Sequence, residues 1–71
     1  MGHRLKGEVA ERLEARTQRL RELRDMTQDH GERVRIDAQL HELQITMYDL
    51  EHMDEAKLQQ VLDRYSQEHR P

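Results

Sequence analysis

Between Arg33 and His52 a single helical stretch carries two apolar rows, and a helix with two rows needs two sources of cover. Ile36, Leu40, Leu43, Met47 and Leu50 recur in steps of three and four, the spacing of one helical face. Val34, Ala38, His41, Ile45, Tyr48 and His52 recur in the same way. At about 100° per residue, the second row lies roughly opposite the first. A helix on the surface of a monomer needs one stripe. The second row therefore predicts that this helix is the middle layer of a helical assembly.

The rest of the chain offers few other ways to supply that cover. Seventy-one residues hold one small domain, 1–71. The larger apolar residues are nine Leu, three Val, two Ile, four Met and two Tyr, with no Phe and no Trp. Tyr48 and Tyr65 are thus the whole aromatic supply, although aromatic side chains usually remove the most area from water. The chain is 38% charged against 34% hydrophobic, and below roughly 70–80 residues a lone core seldom supplies more than a few kcal/mol. Without cysteine there is neither a disulfide staple nor a thiolate zinc site. Association with another chain is the remaining remedy, and a homodimer is expected.

High charge and low hydrophobicity also describe disordered chains. Here the net charge is only −3 and the apolar residues are periodic, which argues for folding. No apolar run is long enough for a signal peptide or a membrane span, so a soluble cytoplasmic protein is expected.

The expected fold is all-α. Helix one runs from about Leu5 to Gln28, with Val9, Leu13, Leu20, Leu23 and Thr27 on one face and Arg16 intruding. Gly31 suits the left-handed position after a helix, with Asp29 or His30 in the connecting turn. Glu32 opens helix two, which runs to about His52, its acidic side chain suiting the helix dipole. A short link between two helices of matched length predicts an antiparallel hairpin. If the first row continued it would next reach Asp54, a charged residue and a good N-cap. A break near Met53–Asp54 and a short third helix from Glu55 to about Gln67 follow. Both chain ends, 1–3 and 66–71, are expected to fray.

Charge divides unevenly. Residues 1–24 hold seven basic and four acidic side chains, and residues 25–71 hold five and eleven. Arg12, Arg16 and Arg19 border the apolar stripe of helix one, as flanking positions of a helix pair do. They are expected to pair with Asp37, Asp49 or Glu51 of a neighbouring helix, their aliphatic stems covering the core edge. The alternative is a face for nucleic acid or an acidic partner. Arg16 stands where leucine is expected, so it either snorkels to the edge or specifies register as a buried pair.

No catalytic, cofactor or metal site is expected. The glycines are isolated at positions 2, 7 and 31, and Ser66 is the one serine, without an oriented base in view. His41 and His52 share a face but stand three turns apart. Each has a carboxylate a turn away, Asp37 and Asp49, and one histidine with one carboxylate is too few ligands for zinc. Both histidines read instead as moderately polar members of an interface, which would weaken below about pH 6 as the imidazoles charge. Met47 belongs to the first row as a gap-filler.

The sequence therefore reads as a non-enzymatic protein–protein interaction module: a regulator, inhibitor, adaptor or small chaperone. Val34, His41, Ile45, Tyr48 and His52 form its expected interface, and Tyr48 combines large area with a polar tip as hot-spot residues do. A nucleic-acid-associated regulator using the arginines is the alternative, and salt separates the two. Mixed DNA or RNA should not be retained at low salt. Retention that falls steeply with added salt would instead establish the arginine face as a phosphate binder.

Overall fold

A computed structural model describes residues 2–67, with side chains over residues 4–66. Helix α1 spans Gly2–Met26 and α2 spans His30–Asp49. A 3₁₀ turn covers Leu50–His52, and α3 spans Glu55–Gln67. Every described element is helical, and there is no strand among the described residues. Gly2, His3, Ser66 and Gln67 are helical rather than frayed. The expectation of fraying at Met1 and at residues 68–71 lies outside the described residues.

The first break is made by side chains that compete with the helix for backbone groups. The last bond of α1 runs from the Thr27 amide to the Leu23 carbonyl, 2.9 Å. The Thr27 hydroxyl then accepts from the Asp29 amide and donates to a Glu32 carboxylate oxygen at 3.2 Å. Asp29, extended at φ −82° and ψ 121°, caps α2 by accepting from the Glu32 amide at 3.3 Å. This corrects the expected role of Gly31. No described glycine has a positive φ, and Gly31 lies inside the first turn of α2. An aspartate cap makes a left-handed residue unnecessary.

The second break falls where the sequence places it. Helix α2 tightens at Leu50, whose amide bonds to the Met47 carbonyl, and the Met53 amide reaches the Leu50 carbonyl at 3.3 Å. Met53 is extended, which redirects the chain. Asp54 then accepts from the Lys57 amide at 2.8 Å, and its carbonyl takes the Leu58 amide.

Helix α1 packs against both α2 and α3, while α2 and α3 scarcely meet. The middle helix within the chain is therefore α1, not α2. The buried set is Val9, Leu13 and Leu20 of α1; Ile36, Leu43 and Leu50 of the α2 segment; and Leu58 and Val61 of α3. Val9 and Leu13 are fully buried. Leu40, Met47, Met53 and Tyr65 pack against this cluster from its edges. The first row of α2 is thus the core row. No polar side chain is buried among the described residues, and burying each aliphatic side chain contributes about 1.5–3 kcal/mol before chain entropy is counted.

Helix length decides what stays uncovered. At 1.5 Å per residue α1 is about 37 Å long and α3 about 20 Å. Arg64 and Tyr65, near the end of α3, stand level with Arg16 and Leu20. Beyond that level Leu23 is 42% and Met26 78% exposed, although sequence spacing puts Leu23 on the core face.

A Cβ added at Gly31 meets one atom within 4 Å, an Asp29 carboxylate oxygen at 3.9 Å. Gly31→Ala should therefore stabilise the fold by about 0.4–1 kcal/mol through the unfolded chain. Urea unfolding checks this, and a loss of stability would put Gly31 in the left-handed conformation after all.

Candidate interaction surface

All six members of the second row point away from the core. Val34 is 54%, Ile45 47% and Tyr48 72% exposed, and Ala38, His41 and His52 are exposed beside them. The structure thus sets the row on one face of α2 and leaves it without cover from the other described residues. Helix α3 does not supply it, because the redirected chain after Met53 lays α3 on α1.

Two hollows flank the seam between α1 and α2. The smaller, about 90 Å³, holds Arg16 and Leu20 of α1, Glu42 and Leu43 of α2, and Arg64 and Tyr65 of α3. The Arg64 guanidinium lies 5.9 Å from the centre of the Tyr65 ring, within cation–π range. The larger, about 660 Å³, is an open groove with Thr17, Arg21 and Arg24 on one wall and Leu40, Met47 and Tyr48 on the other. No α3 residue lines it. Gln44 donates to the Tyr48 hydroxyl at 3.4 Å along its lip.

The arginines expected to act together are separated by environment. Arg12 and Arg19 are exposed, while Arg16 is half-buried in the small notch beside Glu42. Two ion pairs between the α1 and α2 segments use cations outside the expected three. Arg24 meets Asp37 at 3.1 Å, and Lys6 meets Glu51 at 3.4 Å. Both acids come from the expected set. Their partners lie on the opposite edge of the α1 stripe from Arg12 and Arg19, because α2 packs along that edge. These exposed pairs contribute little energy, but they mark which levels of the two helices stand side by side.

Sequence reasoning missed the large groove. Its α1 wall is polar, and Thr17, Arg21 and Arg24 carry no apolar periodicity to mark them. The available signal was their common side of the α1 helical wheel, about 100° round from Arg16. Among the described residues no three His, Asp or Glu side chains come together as a metal-ligand set. No helix there is long and apolar enough to cross a membrane. Comparison with known proteins finds no matching family model, no similar curated protein and no similar solved structure.

The position of Arg16 generates a test of whether it specifies assembly. Arg16→Leu should melt at a higher temperature with unchanged stoichiometry, because the notch offers Leu20 and Leu43 as apolar neighbours. A changed mass in light scattering would make Arg16 a partner-specifying residue.

Proposed function

We propose that this chain is a non-enzymatic protein–protein interaction module that acts as a homodimer: a regulator, inhibitor, adaptor or small chaperone working by helix–helix docking. The observation that carries the reading is the second row of α2, where Val34, Ile45 and Tyr48 stay about half exposed or more. Scattered surface apolar residues need no explanation, but a contiguous row on a rigid helix marks a contact site. His41 and His52 extend the row with side chains that tolerate a partly wet interface.

The hairpin on which this surface sits is antiparallel. Lys6, near the start of α1, pairs with Glu51 beyond the end of α2. Arg24, near the end of α1, pairs with Asp37 near the start of α2. The hollows are open and the core is wholly apolar, so the chain offers surfaces for docking rather than an enclosed site for catalysis.

Absolute mass by light scattering after size exclusion tests the proposal on the wild type and on Tyr48→Glu. The expected result is a wild-type dimer that the substitution converts to a helical monomer. A wild type that is monomeric at high concentration overturns self-association.

A further inference from the structure

We propose that a second copy of this chain fills the groove between α1 and α2, inserting the Val34–His41–Tyr48 edge of its own α2 and receiving the same edge in return. This rests on the reading of the chain as a self-associating module, and names where the row of each copy goes. Row against row is the alternative packing.

Several observations converge on that placement. The groove has an apolar floor in the half-buried Leu40 and Met47. Helix α3 fills the notch on the other side of the seam but leaves this side open. Val34, His41 and Tyr48 are spaced by seven, two turns of helix, so they form one edge of the row. Tyr48 already lines the groove of its own chain, which makes the row and the groove adjoining parts of one surface. Such a surface pairs with itself about a two-fold axis, each copy giving and receiving the same contacts.

Charge favours a copy of this chain over a foreign helix. The α1 wall carries Arg21 and Arg24 against one acid, Glu14, whereas the α2 edge that would enter is bordered by Asp37. Arg21 has no ion pair or hydrogen bond among the described residues. The Asp37 side chain remains 56% exposed and gives Arg24 one of its two oxygens. A two-fold axis parallel to the helices keeps every residue at its own height. Arg24 stands level with Asp37 and Lys6 with Glu51. Arg21 of one copy is then level with the Asp37–His41 turn of the other, and Thr17 with Gln44.

The absence of cysteine makes a clean background for cross-linking. Thr17→Cys and Gln44→Cys chains, each checked for helicity by circular dichroism, are mixed and treated with a short bis-maleimide, with Ile45→Cys alone as the control. The expected result is a cross-linked dimer from the mixed pair in several-fold higher yield than from any single variant. Efficient linking by Ile45→Cys alone, with none from the mixed pair, would establish row-on-row packing. That outcome overturns the groove assignment while sparing self-association. A wild type that stays monomeric in light scattering overturns both and leaves the groove to a helix of another protein. Charge reversal gives a second reading. Arg21→Glu should weaken the dimer several-fold at low salt while leaving the Arg24–Asp37 pair in place. An unchanged dimerisation constant overturns the pairing.

Discussion

The aliphatic seam along α1 carries the molecule, because α1 gives one narrow face to two helices at once. Val9 and Leu13 are fully buried, at the level where α2 and α3 both flank α1. Leu20 closes the set where α3 ends. With no Phe or Trp in the chain, a gap along this seam cannot be bridged by one large side chain. Cover depends instead on how far each helix reaches. The exposed Leu23 and Met26 mark the point where α1 outruns α3.

Two carboxylates set that reach. Asp29 and Asp54 each begin a helix by satisfying amides that have no partner within the first turn. Asp54 also ends any extension of α2, since a continued helix would bring its charge into the core row. The extended backbone at Met53 then sends α3 to α1. The placement of α3 is what leaves the second row of α2 bare, so the exposed surface is a consequence of the turn as much as of the row itself.

That chain of causes shows what the sequence could and could not reveal. Periodicity groups residues by face, and it put Ile36, Leu43 and Leu50 together on the one that the fold buries. The conflict between the row and Asp54 located the break and the start of α3 at Glu55. Periodicity does not say which helix stands opposite a face, and both rows of α2 are about equally good. Within one chain it is α1 that stands between the other two helices, which the rows of α2 do not reveal. Gly31 misled because glycine suits a left-handed cap, while the nearby Asp29 supplied a different solution. The pairings of Asp37 and Glu51 with Arg24 and Lys6 depend on the side from which α2 approaches, which no local spacing encodes. The large groove was illegible for the same reason, as its two walls belong to different helices.

Apolar area and charge play different parts in what such a surface recognises. Exposed ion pairs contribute a fraction of a kcal/mol each and weaken in salt, so Arg21 and Asp37 are poor sources of affinity. Burial of Tyr48, Val34 and the groove floor contributes more, at about 25 cal/mol per Å² of apolar surface, but it is nearly indifferent to orientation. In the proposed dimer the apolar edge supplies the attraction and the charges select among the ways two copies can meet. A basic α1 beside an acidic α2 disfavours stacking like on like, since that sets Arg21 against Arg21. It favours the arrangement in which each α1 faces the other copy's α2. The uneven charge along the chain thereby acts as a device for register, and it works because the apolar row alone leaves register open.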